Sequence, residues 1–160
     1  MAVIRLITNK KVHCTHFSER KKLSEKLSEE KIALLKETGY SRNAIELYGN
    51  RINVGTIENA DVALAYTGPC RDTIKLYLKI NDQNEIDDAK FQYLGCPASA
   101  ACGSIVTQLA KGKTLREAEE ITEEEVLKEL GGLPGDECHC ATLVLTTLHN
   151  AIKKYENNKK

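Results

Sequence analysis

The sequence predicts an α+β fold: a three-stranded antiparallel sheet with helices packed on one face, plus an N-terminal helical extension. Three observations carry this expectation. Apolar residues between positions 62 and 93 recur with a period of two. Those before and after recur with helical spacing. The two kinds of segment lie in separate blocks rather than alternating, which indicates α+β and not a parallel α/β sheet.

The clearest strand is the middle one. Ile74, Leu76, Leu78 and Ile80 alternate with Lys75, Tyr77 and Lys79, giving one apolar and one wet face. Val62, Leu64 and Tyr66 alternate with Ala63 and Ala65 before it; Ala89, Phe91 and Tyr93 alternate with Asp88, Lys90 and Gln92 after it. The turn clusters Thr67–Asp72 and Asn81–Asn84 join them, and connections this short make an antiparallel meander.

The helices follow from caps and stripes. Residues 18–38 read as a charged helix capped by Ser18 and ended by Gly39, with a thin face of Leu23, Leu27 and Leu34. Ser41 caps a short helix carrying Ala44, Ile45 and Tyr48, stopped at Gly49-Asn50, and residues 50–60 read as loop. Gly95-Cys96-Pro97 breaks the third strand and starts a helix with Pro97 in its first turn. Ala98, Ala101, Cys102, Ile105, Val106, Leu109 and Ala110 form its apolar stripe. Thr114–Glu120 and Thr122–Leu130 read as two short acidic helices, Thr122 and Glu125 standing at capping-box spacing. Cys140 opens the last helix, where Val144, Leu148, Ala151, Ile152 and Tyr155 share a face. The expected division is an N-terminal extension at 1–39, a main domain at 40–156 and a frayed tail at 157–160.

Bulk properties remove several function classes. The 160 residues carry 23 basic and 23 acidic side chains, and a net charge of zero argues against nucleic-acid binding through bulk electrostatics. No apolar run is long enough to span a membrane, and the N-terminus lacks a secretory pattern, so a cytoplasmic location is expected. Six cysteines, at 14, 70, 96, 102, 138 and 140, then point to metal or thiol chemistry rather than disulfides.

Cys70 and Asp72 lie in the first turn of the meander, and Cys96 lies where the third strand meets its helix. Both places are at the same end of the sheet, so these residues are expected to be neighbours. Cys140, preceded by His139, reaches that end if the last helix packs alongside the other. Helix N-termini at Cys96 and Cys140 favour thiolate over thiol. Thiolates suit iron–sulfur clusters and zinc alike. Asp72 adds a hard oxygen ligand, which holds a cluster less firmly than a fourth thiolate would. Paired Cys-x-x-Cys zinc hooks, a ferredoxin cysteine run, a P-loop and a dinucleotide fingerprint are all missing from the sequence. Cys102, on the apolar stripe, reads as core. Cys138 would point the same way as Cys140 if 138–140 is extended, and would then be a substitute ligand. Cys14, between His13 and His16, reads as a terminal trio without a site.

At these residues the sequence resembles the IscU/NifU amino-terminal-domain family of iron–sulfur scaffold proteins, over residues 40–156. Tyr40-Ser41 through Asn53-Val54-Gly55 resembles the family's opening helix and "N-V-G" loop. Gly68-Pro69-Cys70-Arg71-Asp72 with Lys75-Leu76 resembles "A-C-G-D…K-L", and Leu94-Gly95-Cys96 resembles "Y-G-C". Gly112 to Ala118 resembles "G-K-S-L-x-E-A", and His139-Cys140 resembles the "H-C" segment. The resemblance implies Cys70, Cys96 and Cys140 as cluster ligands, with Asp72 and His139 alternating or supporting. It also implies a cysteine desulfurase partner and release of a [2Fe-2S] or [4Fe-4S] cluster to apo-proteins.

The chain departs from the family's pattern in several places. Arg71 stands where the family usually has Gly, putting a cation near the site. Gly132-Leu133-Pro134-Gly135-Asp136-Glu137 replaces the "L-P-P-V-K" segment, so an Hsp70-type chaperone is a doubtful partner. Residues 1–39 have no counterpart and suit a docking or dimer role. The expected function is thus a non-enzymatic scaffold that receives iron (Fe²⁺) and desulfurase-derived sulfur, with Cys70 the expected first sulfur acceptor. The competing readings are a zinc-bound (Zn²⁺) sulfur acceptor that activates a desulfurase, and an electron carrier with a permanent cluster.

Overall fold

The computed structural model describes residues 27–135 and 139–159. Its elements run α1 (Glu29–Glu37), α2 (Arg42–Asn50), β1 (Val62–Thr67), β2 (Thr73–Ile80), β3 (Ile86–Leu94), α3 (Pro97–Ala110), α4 (Leu115–Glu119), α5 (Glu123–Leu130) and α6 (His139–Asn158). The strands form one antiparallel sheet in the order β1-β2-β3, the expected meander. Ile74, Leu76 and Leu78 of β2 share a face with Phe91 and Ala89 of β3, and all five are fully buried. Helices α3 and α6 cover this face.

Local chemistry explains most boundaries. Ser41 caps α2 through its hydroxyl on the Ala44 N–H at 3.0 Å, and the same hydroxyl donates to the Leu130 carbonyl, tying α2 to the end of α5. Thr114 and Glu117 make a full reciprocal capping box at α4. Thr122 caps α5 by accepting from the Glu125 N–H. Gly131, at φ +74°, ends α5 in the left-handed conformation that glycine takes without a steric penalty.

Some expectations need correction. Among the described residues the first helix begins at Glu29 under a Ser28 cap, with Glu29 and Glu30 in its first turn; residues 18–26 lie outside the described residues. Its packed face is Ile32 and Leu35, whereas Leu34 is 59% exposed. Leu27 leaves the helix and packs on Gly49 of α2. Tyr77, placed on the wet face of β2, is buried, because its hydroxyl donates to Gln92 at 2.8 Å and Lys75 lies over its ring. β3 starts earlier than its alternation suggests, at Ile86, after a bulge at Lys79/Ile80. α6 runs through Asn158, and the Lys159 N–H still bonds the Tyr155 carbonyl, so the helix extends into the segment where fraying was expected; Lys160 lies outside the described residues.

The apolar stripe expected on α3 is an understatement. Every residue from Ala98 to Thr107 is buried, because α2, α5, α6 and β3 all pack on this helix. Small side chains permit that crowding. Ser104 and Thr107 satisfy their hydroxyls on the Ala100 and Gly103 carbonyls one turn back, so neither is a buried unpaired group.

Candidate metal centre

The site is built where β-register and two helix starts meet. Thr73 pairs with Leu94, so Asp72, one residue before β2, faces Gly95 and Cys96, just beyond β3. The turn that carries Cys70 closes through the Arg71 N–H on the Gly68 carbonyl at 3.0 Å. Arg71 itself takes φ +67°, a left-handed conformation in a position where a glycine would be relaxed. The N-terminal part of α6 settles against this loop, with Leu143 beside Gly68.

Cys96 is the N-cap of α3. Its Sγ accepts the Ser99 N–H at 3.4 Å, the role a serine or aspartate oxygen usually fills. Cys140, in the first turn of α6, is fully buried and lies with its Sγ 3.6 Å from that of Cys96. Asp72 Oδ2 accepts the Cys96 N–H at 3.1 Å. One donor atom from each of Asp72, Cys96 and Cys140 lies within 4.8 Å of the other two.

The donor set fits a thiophilic metal. Two thiolates each about 2.3 Å from one tetrahedral ion stand about 3.8 Å apart, so the sulfur pair is already at bridging distance. A carboxylate completes a mixed sulfur–oxygen set.

Electrostatics divides the pair. The Cys140 S–H on its sulfur and the Ser99 N–H pull the Cys96 thiol below the ordinary range, against burial and the Asp72 charge. Cys140 moves far the other way. Its hydrogen bond with Cys96 and its burial raise it, and the negative charge of Cys96 and Asp72 adds to this. At Cys140 this runs against the thiolate expected from the helix terminus alone, and at Cys96 the direction agrees with it.

Of the five predicted site residues, the structure brings three together. Cys70, on the same turn as Asp72, is exposed and outside the trio. It lines a cavity of about 500 Å³ with His139, Tyr66, Thr142 and Leu143. His139, the first residue of α6, is exposed at that cavity. Cys102 is in the core, fully buried on α3. Cys14 and Cys138 lie outside the described residues. Sequence reasoning missed two participants. Ser99 was legible as the N3 position after a Cys-Pro helix start, and Gly95 appeared as a strand breaker and as part of the Leu94-Gly95-Cys96 motif, without a role of its own.

Fold and donor set together define a class: an α+β domain with a thiol-and-carboxylate cluster at one end of an antiparallel meander. The sequence matches the family described as "NifU-like N terminal domain" over residues 39–160, and the chain belongs to that family. It is 43% identical over 117 residues to the iron-sulfur cluster assembly scaffold protein IscU 1 of Archaeoglobus fulgidus, covering 72% of this chain and 76% of that one. It is 37% identical over 124 residues to the iron-sulfur cluster assembly scaffold protein IscU of Escherichia coli K12, covering 75% of this chain and 96% of the relative. The fold is similar to that of a nitrogen-fixing NifU-like protein (N-terminal) from Brucella abortus, with TM-score 0.61 and 18% identity over 77% of this chain and 98% of that one. It is also similar to a putative scaffold protein for the SUF system from Fervidobacterium islandicum AW-1, with TM-score 0.60 and 24% identity over 71% and 96% of the two chains. No helix among the described residues is long and apolar enough to cross a membrane.

Proposed function

We propose that this chain is an iron–sulfur cluster assembly scaffold: a carrier, not an enzyme, that holds a cluster as cargo and passes it to apo-proteins. The observation that supports this most is the 3.6 Å Cys96–Cys140 sulfur pair with the Asp72 carboxylate beside it. Two soft donors bind iron, and one hard donor weakens the hold on a sulfur-rich cargo. The names of the Archaeoglobus fulgidus and Escherichia coli relatives agree with this reading.

In this reading Cys96, Cys140 and Asp72 hold the nascent [2Fe-2S] or [4Fe-4S] cluster. Cys70 and His139 stand at the adjoining cavity. Cys70, exposed on a turn, is the sulfur acceptor: its thiolate attacks the persulfide of a cysteine desulfurase, takes the outer sulfur, and releases the donor as a thiolate. A dithiol reductant then supplies two electrons, the outer sulfur leaves as sulfide for the cluster and the dithiol becomes a disulfide; the freed Cys70 thiolate swings in as the third sulfur ligand, with His139 supporting. Residues 40–156 carry this function in the cytoplasm, and residues 1–39 serve docking or dimer formation.

The sulfur spacing equally suits a single tetrahedral Zn²⁺, which makes a zinc-bound desulfurase activator the second reading. Anaerobic reconstitution separates the two. Iron and sulfide should yield a visible chromophore that chelators remove and that transfers to an apo-ferredoxin. Tightly held zinc, no chromophore and no transfer would replace the first reading with the second.

A further inference from the structure

Gly95 follows β3 directly and Asp72 precedes β2 directly, while their neighbours Leu94 and Thr73 are paired across the sheet. The Asp72 side chain lies over the Gly95 α-carbon. A β-carbon on Gly95 would stand 2.7 Å from Oδ1 of Asp72 and closer still to Cγ and Oδ2. All three of its nearest neighbours belong to that one carboxyl group. Gly95 does not use the conformational freedom of glycine, since it is absent from the positive-φ glycines, unlike Gly39, Gly112, Gly131 and Gly132. Its requirement is space. From the seat so provided, Asp72 Oδ2 accepts the N–H of Cys96, whose own sulfur faces Cys140.

We propose that Gly95 is a positioning residue for Asp72. Its missing side chain seats the carboxylate on the Cys96 amide, within reach of an ion held by Cys96 and Cys140. The ion rests on the metal-site reading above; the seat does not. The clashing atoms are the free end of one side chain on a surface turn, so they can swing into solvent. Gly95→Ala therefore keeps every ligand residue and evicts the carboxylate. It should behave as Asp72→Ala does.

The test is a double-mutant cycle with two readouts on the full chain. In metal-free protein the Cys96 amide resonance should move away from its hydrogen-bonded position in both single variants and in the same direction. Titrated with Co²⁺ alone, each single variant should lose about tenfold in affinity, as removal of a supporting group typically costs. The double variant should lose no more than either single, because both changes remove one interaction. An unmoved Cys96 amide in Gly95→Ala, or losses that multiply in the double variant, would overturn the seat and leave the metal site standing. If wild type binds no Co²⁺ through Cys96 and Cys140, the metal reading fails and the amide alone decides the seat. Should Gly95→Ala not fold, Asp72→Ala in the same chain empties the seat and must restore folding; failure to do so also refutes the proposal.

Discussion

Cys96 and Cys140 bring their sulfurs to 3.6 Å from the starts of two different helices. The geometry suits a metal ion, and in metal-free protein it leaves a pH signature. The folded-state pKa of Cys96 is depressed, so its stabilisation is present above the unfolded value and lost as pH falls through the folded one. That of Cys140 is raised, so its stabilisation is present below the unfolded value and lost as pH rises toward the folded one.

The metal-free, reduced protein should therefore be most stable near the unfolded thiol pKa of about 8.5. Urea midpoints measured from about pH 6.5 to about pH 10 should rise and then fall around that value. Cys140→Ser should abolish the alkaline decline. A decline of equal size in that variant would contradict a raised pKa at Cys140.

Cys70 lies outside the trio, so its serine variant should separate binding from sulfur acceptance. Cys96→Ser and Cys140→Ser should each weaken Co²⁺ binding by at least about tenfold, with loss of the sulfur-to-metal absorption band. Cys70→Ser should keep that band in a single-ion titration but lose persulfide uptake from a desulfurase. Equal loss of the band in all three variants would place Cys70 in the ion's first coordination sphere from the outset.

Arg71 sits between two site residues at φ +67°. An L-residue pays about 1–2 kcal/mol for that conformation. Glycine removes this cost but adds about 0.5–1 kcal/mol of unfolded-chain entropy. Arg71→Gly should raise stability by about 0.5–1 kcal/mol in urea denaturation. Arg71→Val should lower it, since a branched β-carbon is crowded there. A destabilised glycine variant would mean that the Arg71 side chain makes a stabilising contact large enough to outweigh the strain.

Gly103 faces the ring of Phe91, and a β-carbon there would lie 2.7 Å from Cδ2. Phe91 is fully buried, so its ring has no solvent to move into. Gly103→Ala should cost about 1–3 kcal/mol as overpacking, visible as a lower thermal midpoint. Phe91→Leu in the same chain should recover part of the loss. An unchanged midpoint in Gly103→Ala would show that α3 and β3 can separate more freely than their packing implies.

Much of this was legible along the chain. Ile74 to Ile80 announced β2 because alternation is a local property, and Ser41, Thr122 and Cys96-Pro97 announced helix starts because a cap bonds within three residues. The encounter of Asp72 with Cys96 followed from meander topology alone. Other features depended on what packed from elsewhere. Leu35 rather than Leu34 is buried because the position of α2 selects the face of α1. Tyr77 is covered by Lys75 and Gln92, neighbours on its own and the adjoining strand.

The sequence by itself determined the strand pattern, the caps and the short list of donor residues, since each is written in spacing or in side-chain type. Only the tertiary structure decided that Cys140 meets Cys96 at 3.6 Å, that its thiol pKa is raised there, and that Gly95 leaves room for Asp72. The physical reason is distance along the chain. Desolvation, a charge from a residue 44 positions away and an empty volume across two strands arise only once the packed elements bring them together.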